Sequence, residues 1–290
     1  MNKNLIVSSA DDKYSPLIEE LYQSTLKLKN YDFAILDCGL KQNIIEKFVN
    51  RGIDVKIPNW EISLPNYKIR GRNYLKAQFS RFYLHEYFPG YENYFWLDCD
   101  TWINCPETFQ YYLKGVNEKG FAICPQVDRA SSKLLNIKWL FNYPLKINSI
   151  NYKNISKSIS KEMGKKYAGH YTLNAGCFGY SKNYDGLSVI HKNLKEASKK
   201  GRIFGSDQVA LALSAFEDNL EFEFLPSYCN WICEHHMPKY CESKGVFVEP
   251  YVPHHNIALI HLAGLDAERQ NNNIKHEFIT LSGKKIKKSL

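Results

Sequence analysis

Short apolar runs alternate with amphipathic stretches along the first sixty residues of this chain. The runs at 4–9, 32–37 and 53–57 have the length and composition of buried strands. Apolar residues recur at helical spacing over 15–28 and 44–49. This βαβαβ order predicts an α/β fold with a mixed, mostly parallel central sheet flanked by helices, in which ligands bind at the carboxyl ends of the strands.

The same pattern predicts further elements along the rest of the chain. A helix is predicted over 73–87, with its apolar stripe at Leu75, Phe79, Phe82 and Tyr83. Weak periodicity predicts that the segment 129–166 is partly helical and partly loop. Strands are predicted at 121–124, 172–180, 222–225 and 257–261, and helices at 184–199 and 206–216.

The strongest apolar run, in residues 94–104 (YFWLDCDTWIN), ends in two aspartates one residue apart. Because side chains alternate along a strand, Asp98 and Asp100 are expected on one side and Cys99 on the other. Two neighbouring carboxylates in an apolar setting are costly unless a cation lies between them. Oxygen ligands favour Mg²⁺, Ca²⁺ or Mn²⁺, with water and substrate phosphates completing the shell. The alternative is a pair of surface aspartates in a turn after the strand.

Several nucleotide-binding and hydrolytic motifs are absent from the sequence. No G-x-G-x-x-G follows a strand, and neither a P-loop nor a G-x-S-x-G elbow occurs. Nicotinamide dehydrogenases, P-loop kinases and α/β-hydrolases are therefore disfavoured. At 290 residues with 44% hydrophobic residues, the chain is long enough for one large domain. No apolar run predicts a membrane span, and eight cysteines fit a cytoplasmic protein with reduced thiols.

Positive charge is concentrated in two segments. The net charge of the whole chain is +8. Residues 129–166 carry eight Lys and one Arg against one Glu, and 283–290 carry four Lys, so the remainder is mildly acidic. Such segments favour an anionic partner, such as a phospholipid surface, an acidic glycan or nucleic acid, or they are simply a solvated loop and tail.

Seven motifs in order, SADDKY, FAILDCGL, FSRFY, FWLDCDTWI, LNAGCFGYS, SDQVALALSAF and IALIHLAG, carry a resemblance to a known family. Together they span about residues 4–264, and the chain resembles the GT-A glycosyltransferases, a Rossmann-like fold. Among these it is most similar to glycosyltransferase family 8, the retaining enzymes that include bacterial lipopolysaccharide galactosyl- and glucosyltransferases and glycogenin. The resemblance implies one catalytic domain over 1–270, in which 129–166 is an acceptor or lid region, and a basic tail over 271–290.

The resemblance also implies a role for individual residues. The metal ligands would be Asp98, Asp100 and His261, holding Mn²⁺, with Mg²⁺ as the alternative. The donor, a UDP-sugar, would contact Ala10, Asp11, Asp12, Tyr14 (stacked on uracil), Arg81, Asp98 and Cys99. The sugar-side residues would be Asp128, Asn174, Ala175, Asp207 and Gln208, of which Asp207 and Gln208 would act in catalysis. Asp207 is also explained as a favourable charge at a helix N-terminus.

Two stretches depart from the family pattern. The family follows its metal histidine with a glycine and then Lys-Pro-Trp, whereas here Gly264 matches and the Lys-Pro-Trp is missing. Arg269 could substitute for the lysine, and Lys13 could add a second positive charge. The second stretch is CNWICEHHMPKYC, residues 229–241, and its lead-in PSYCNW, residues 226–231, resembles the loop before the family's metal histidine. The stretch is expected to be an acceptor-facing loop with incidental thiols. Alternatively, Cys229, Cys233, His235 and Cys241 could ligate Zn²⁺, at a spacing that is irregular for a zinc module.

The sequence therefore predicts a metal-dependent glycosyltransferase that moves a hexose from a UDP-sugar to a glycan, glycolipid or protein acceptor, with retention. Its expected location is the cytoplasm, at the inner face of the membrane, with the basic segments toward an anionic surface. Two alternatives are a metal-dependent nucleotidyltransferase and a non-catalytic sugar-binding or scaffold protein on the same fold. Nucleic acid is a disfavoured partner.

Overall fold

A computed structural model describes residues 3–271 and 273–289 of the chain. Its strands are β1 Asn4–Ala10, β2 Tyr31–Asp37, β3 Asp54–Lys56, β4 Asn93–Leu97, β5 Thr101–Ile103, β6 Phe121–Gln126, β7 Asn136–Leu140, β8 Tyr143–Asn148, β9 Thr172–Ser181, β10 Glu223–Phe224, β11 Trp231–Ile232, β12 Lys239–Cys241, β13 Val246–Val248, β14 Leu259–His261, β15 Lys275–Ile279 and β16 Lys285–Ser289. Its helices are α1 Ser15–Thr25, α2 Gln42–Val49, α3 Asn66–Ile69, α4 Ala77–Ser80, α5 Leu84–Tyr87, α6 Pro106–Lys119, α7 Ile150–Ser158, α8 Lys161–Lys166, α9 Leu187–Lys200, α10 Ser206–Phe216 and α11 Asp266–Gln270.

Seven strands form the central sheet in the order β10-β6-β9-β4-β1-β2-β3. β9 is antiparallel to both of its neighbours, and the other pairs are parallel. The mixed, mostly parallel sheet is thus confirmed. β1, β2, β4 and β6 all end at one edge, and β9 starts there because it runs the other way. The carboxyl ends of four strands and the start of β9 therefore face a common region.

A small second sheet, β11-β14-β5, completes this edge. β5 follows β4 after a three-residue turn, Asp98–Asp100, and pairs antiparallel with β14. In that register His261 lies opposite Thr101, the residue next to Asp100. The pairing of β5 with β14 is what brings a histidine far along the chain to the aspartate turn.

Aromatic side chains fill much of the core between the sheet and its helices. Phe121 stacks on Phe222 with ring centroids 4.5 Å apart, and Phe82 stacks on Phe178 at 5.2 Å. All four rings are buried. Offset stacks of this kind add to the free energy gained by burying the rings themselves. They attach the segment before β4 firmly to β9, so the loops at the site edge rest on a rigid base.

The helix predicted over 73–87 is wrong as a single helix. The chain forms a 3₁₀ turn at Asn73–Lys76, then α4, a break, and α5. At the break, the backbone N–H of Leu84 donates to the Tyr180 hydroxyl at 2.8 Å instead of to a carbonyl one turn back. A hydrogen bond to a distant strand thus replaces a helical one, and apolar periodicity carries no sign of it.

Two basic segments contain β-hairpins that the pattern did not predict. Within 129–166, α7 and α8 match the helical part of the prediction, but β7 and β8 pair antiparallel where loop was expected. Pro144 disfavours a regular strand, and it lies beside an irregularity in the pairing, where proline is tolerated. In the C-terminal segment, β15 pairs with β16, and Phe278 is buried against Phe247 with ring centroids 4.9 Å apart.

Candidate active site

A cavity of about 530 Å³ opens at the carboxyl edge of the central sheet. Its walls come from the loop after β1, from α4 and the residue that follows it, from the turn after β4, from the start of β9, and from α10 and the chain after β14. A larger cleft of about 820 Å³ lies at the amino end of β4, on the opposite edge, and contains none of the predicted site residues. The predicted site residues that line the edge cavity are Ala10, Asp11, Tyr14, Arg81, Asp98, Cys99, Asp100, Asn174, Ala175, Asp207, Gln208 and His261.

Asp98, Asp100 and His261 form the one group of three or more metal-ligating side chains found among residues 3–271 and 273–289. One ligand atom from each lies within 4.8 Å of the other two. Asp100 and His261 are buried, and the His261 Nε2 atom is 3.5 Å from the Asp100 Oδ1 atom. β4 ends at Leu97, so the aspartates occupy a turn and not a strand. The expected alternation therefore fails, and Cys99 lines the same cavity.

Asn230 orients the imidazole of His261. The Nδ1 atom of His261 lies 2.9 Å from the Oδ1 atom of Asn230, and both residues are buried. Burial lowers the pKa of His261, but the charge of Asp100 outweighs it and raises that pKa, so Nε2 holds a proton that a bound cation would displace. On the other side of the ring, Nδ1 donates to the amide oxygen of Asn230. Such a partner on the far ring nitrogen is the usual way that proteins fix the tautomer of a metal-binding histidine.

Gly176 keeps the space between these groups open. A Cβ atom on Gly176 would lie 2.7 Å from Asp98 Oδ2, 2.7 Å from His261 Cε1 and 2.9 Å from Asn174 Oδ1. These distances are shorter than any van der Waals contact, so only glycine fits at this position of β9. Two carboxylates and one imidazole around a space kept free of side chains are a donor set that could hold a divalent metal ion.

Substituting Gly176 by alanine is therefore expected to weaken Mn²⁺ binding without changing any charge. Overpacking of this kind typically costs roughly 1–3 kcal/mol, equal to about 5- to 150-fold in affinity. The measurement is calorimetric titration of Mn²⁺ into each variant. Gly169→Ala is the matched control, because nothing lies within 4 Å of its Cβ position. Unchanged Mn²⁺ affinity in a folded Gly176→Ala protein would contradict this placement of the metal.

Arg269 lies between Asp100 and Tyr14. Its Nε atom is 3.0 Å from the Asp100 Oδ2 atom, and its guanidinium carbon is 5.0 Å from the centroid of the Tyr14 ring. Burial raises the pKa of Asp100, but the charges of His261 and Arg269 outweigh it and lower that pKa below its usual value. The carboxylate is therefore ionised and ready to bind a cation. Arg269 also lines the cavity, and its substitution for the lysine missing after Gly264 stays a prediction.

Arg81 connects the turn Asp98–Asp100 to β9 and to α10 on the other side of the cavity. Its guanidinium is 3.3 Å from Asp98 Oδ1 and 3.1 Å from Asp207 Oδ2, and it donates to the carbonyl of Ala175 at 2.7 Å. It also lies over the ring of Trp96, 4.6 Å from the centroid. Arg81 is buried, so solvent screens these interactions little. The residue therefore fixes three walls of the cavity relative to one another.

Asp207 begins the first turn of α10, after Gly205 in a left-handed conformation with φ of 87°. Its Oδ1 atom accepts from the backbone N–H of Gln208 at 2.8 Å. Burial raises the pKa of Asp207, and the charge of Arg81 opposes that shift. The position of Asp207 in the first turn of α10 is thus confirmed, and its contact with a sugar stays a prediction.

Two of the predicted contacts lie outside the cavity. Asp12 forms an ion pair with Lys41 at 2.8 Å, and its side chain does not line the wall. Asp128 accepts from the backbone N–H of Ala130 at 2.7 Å and from the Ser227 hydroxyl at 2.5 Å. Its φ of 62° directs the chain into the 3₁₀ turn that follows. In this structure both carboxylates pair with local groups, and neither residue lines the cavity.

The alternative zinc site is not assembled. Cys229, Cys233, His235 and Cys241 do not appear in any metal-ligating group within the described ranges, where the aspartate–histidine group is the sole one. Cys229 packs in the main core beside Ala258, and Cys233 packs in a separate cluster with Trp231 and Phe247. The thiols are buried core residues.

Sequence reasoning missed some residues that shape the site. Asn230 and Trp96 were not predicted, and Trp96 donates from its indole to Asp98 Oδ1 at 2.8 Å. Gly176 stood out as a glycine inside a strand, which signals close approach of another group, but its neighbours could not be named. Asn230 gave one indirect signal, since it lies in the loop that resembles the family's lead-in to the metal histidine.

No protein-family model matches this chain, and no curated protein matches it. Among solved structures, it is similar to the bifunctional glycosyltransferase WbbM, with TM-score 0.53, 15% identity, and 91% of this chain and 46% of that chain covered. It is also similar to an active-site mutant of LgtC, with TM-score 0.50, 13% identity, and coverage of 90% and 87%. This chain thus spans about half the length of WbbM. The sheet order, the cavity at the strand ends and these structural likenesses show that the chain has the fold of the GT-A glycosyltransferases.

Proposed function

We propose that this chain is a metal-dependent glycosyltransferase that moves a hexose from a UDP-sugar to a hydroxyl group of a glycan, glycolipid or protein acceptor, with retention of configuration. One observation carries the proposal. Asp98, Asp100 and His261 come within 4.8 Å of one another in a cavity at the strand ends of a GT-A fold. The same cavity is lined by Arg81, Asn174 and Asp207.

The nucleoside half of the donor is assigned to the loop after β1. Ala10, Asp11 and Tyr14 line the cavity there, and the uracil base is assigned to the ring of Tyr14. The Oδ1 atom of Asp11 accepts from the Tyr14 N–H at 3.2 Å, which fixes the shape of this loop. Lys13 also reaches the cavity wall and adds positive charge.

Asp98, Asp100 and His261 would hold Mn²⁺, or alternatively Mg²⁺, next to the diphosphate. When bound, the ion neutralises the charge that grows on the departing UDP. Arg269 stands beside Asp100 and is placed to contact the same phosphates. Preorganised charges of this kind in a cavity that excludes water give the largest share of many rate enhancements.

The sugar half is assigned to Asn174, Ala175, Asp207 and Gln208. The Asn174 Oδ1 atom accepts from the Gly176 N–H at 2.8 Å, which leaves its amide NH₂ for a ligand. Asp207 is held by Arg81 and by the N–H of Gln208, so its carboxylate is a fixed acceptor for sugar hydroxyls. A carboxylate engaged in this way is a poor nucleophile, which favours attack by the acceptor hydroxyl from the face that the UDP leaves.

Removal of divalent metal is expected to abolish nucleotide binding. The experiment titrates UDP, GDP and CMP calorimetrically into the protein, with Mn²⁺ and then with EDTA. UDP should bind in Mn²⁺ and not in EDTA, while GDP and CMP bind at least about tenfold more weakly, since the Tyr14 pocket selects the base. Slow hydrolysis of a panel of UDP-sugars then identifies the sugar.

Each of the other possible results of the binding and activity assays would change one part of the proposal. Preferential binding of GDP or CMP would keep the metal site and overturn the uracil pocket. Release of pyrophosphate from a nucleoside triphosphate and a sugar phosphate would assign a nucleotidyltransferase instead. Metal-independent binding, or no binding of any nucleotide, would overturn the transferase proposal and favour a non-catalytic protein.

A further inference from the structure

The β7–β8 hairpin carries large apolar side chains at its turn, where nothing covers them. Phe141 is 90% exposed, Tyr143 77%, Leu145 66% and Trp139 60%. The two strands form a separate two-stranded sheet and pair with no other strand in the described part of the chain. Exposed apolar groups that are contiguous in this way usually mark an interaction surface.

Lysines flank the base of the same hairpin. Lys138 and Lys146 are direct cross-strand partners, and Lys133 precedes β7. Within residues 3–271 and 273–289, none of the three lies within 4.0 Å of a carboxylate. Like charges directly opposite on a ribbon destabilise it. An anionic partner would relieve that repulsion.

We propose that this hairpin docks on the surface of an anionic phospholipid bilayer. The aromatic and leucine side chains of the turn enter the interface, and Lys138 and Lys146 contact the headgroup phosphates. Tryptophan and tyrosine favour the headgroup level of a membrane, and an apolar tip combined with lysines is the composition of interfacial anchors. Single-stranded nucleic acid fits less well, because Leu140 and Leu145 offer no ring on which a base could stack.

The hairpin is connected to the rim of the active-site cavity by a short path. Ser149 follows β8 directly and caps α7, accepting from the Tyr152 N–H at 3.2 Å. Gly205 lines the cavity. The side chain of Asn154, on α7, lies 3.2 Å from the point where a Cβ atom on Gly205 would be. Docking would hold the cavity near the lipid surface. If the proposed function holds, the acceptor is then a hydroxyl on a lipid-linked glycan.

The test measures cosedimentation of the full chain with phosphatidylcholine vesicles, with and without about one quarter phosphatidylglycerol. Binding is expected for the anionic vesicles and is expected to weaken with added salt. Of the five tryptophans, Trp139 is the exposed one, so its emission should shift to the blue on binding. Trp139→Ala/Phe141→Ala and Lys138→Ala/Lys146→Ala should each lower vesicle affinity by about tenfold or more, and Trp139→Phe should retain it.

Matched controls distinguish docking through the hairpin from non-specific adsorption to vesicles. Ile57→Ala/Tyr67→Ala removes apolar groups that are each 70% exposed elsewhere, and Lys27→Ala/Lys29→Ala removes two exposed lysines. Both are expected to bind vesicles like the unaltered chain. Because the hairpin pairs only with itself, thermal unfolding of the tip variants should be unchanged.

Three results would overturn the proposal. They are equal binding to neutral and anionic vesicles, tip variants that bind as well as the unaltered chain, or self-association in ultracentrifugation that the tip variants lose while vesicle binding persists. The last result would assign the surface to a second copy of this chain. No nucleotide or metal is present in the vesicle assay, so its failure leaves the proposed function untouched, and failure of nucleotide binding leaves the docking result standing.

Discussion

Replacing Asp100 by asparagine is expected to abolish Mn²⁺-dependent binding of UDP and to remove transferase activity. The amide keeps the shape of the carboxylate but loses the negative charge that faces His261 Nε2 at 3.5 Å and Arg269 Nε at 3.0 Å. A metal ion held by such a ligand supplies several kcal/mol of charge stabilisation. The transfer rate is therefore expected to fall roughly a thousandfold, about 4 kcal/mol. Calorimetry with Mn²⁺ and UDP, together with release of UDP from the sugar donor, measures both losses.

Asp54→Asn is the control for the loss of one carboxylate. Asp54 lies on β3, away from the cavity, with its side chain 58% exposed and 3.6 Å from Lys56. Exposed pairs of this kind contribute little, so metal and nucleotide binding should not change. Full Mn²⁺-dependent UDP binding by Asp100→Asn would contradict the assignment of this aspartate as a metal ligand.

Replacing Arg81 by methionine is expected to lower the free energy of unfolding by about 3–5 kcal/mol, even before nucleotide or metal is added. The side chains of Arg81 and Asp207 are 7% and 6% exposed, so the variant leaves a buried carboxylate without its cation. The loss is measured by urea unfolding in EDTA. Arg81→Met in an Asp207→Asn background is the matched comparison. There the loss should be markedly smaller, because the only carboxylate left without Arg81 is Asp98, whose side chain is 32% exposed.

The same variant should be less destabilised in acid than near neutral pH. Burial already raises the folded-state pKa of Asp207 above its usual value, and Arg81 holds that rise in check. Without Arg81, the folded state binds the proton of Asp207 more tightly than the unfolded chain does. Stability relative to the unaltered chain is therefore highest below the unfolded pKa, falls above it, and is lost as the pH rises through the folded pKa. Comparison at about pH 5 and about pH 8 checks the sign, and a loss that does not depend on pH would contradict the role of Asp207.

The sheet was predictable because it depends on local sequence, and the grouping of Asp98, Asp100 and His261 was predictable from the family resemblance. β1, β4 and β9 are apolar runs whose residues are nearly all buried, and the aspartate pair follows one of them. His261 ends another short run. The rule that ligands bind at the carboxyl ends of parallel strands predicts a site at the end of β4, and the resemblance, not this rule, adds His261, which lies on the separate sheet β11-β14-β5. The structure confirms that these residues meet, while their chemical roles remain predictions for the experiments above.

The errors arise where contacts between distant parts of the chain decide the outcome. The break between α4 and α5 depends on Tyr180, almost a hundred residues away, and the role of Asn230 depends on the pairing of β14 with β5 and β11. Asp12 and Asp128 matched a motif, yet each is turned toward a partner, Lys41 and Ser227 respectively, that no pattern could identify. Periodicity indicates which side of a helix or strand is apolar. It does not indicate which polar group the polar side chains of that element will contact.

Because β9 runs antiparallel to β6, the segment that joins these two strands begins and ends at the same edge of the sheet. Gln126 at the end of β6 and Thr172 at the start of β9 are direct cross-strand partners. The whole segment 127–171 therefore leaves and re-enters the sheet at adjacent points on the cavity rim. The entropic cost of closing such a loop rises only slowly with its length, so the segment can be lengthened, shortened or exchanged without altering the register of a single strand. Ile155 and Tyr167 of this segment pack with Val209 of α10, so an exchanged segment would have to supply that apolar contact again.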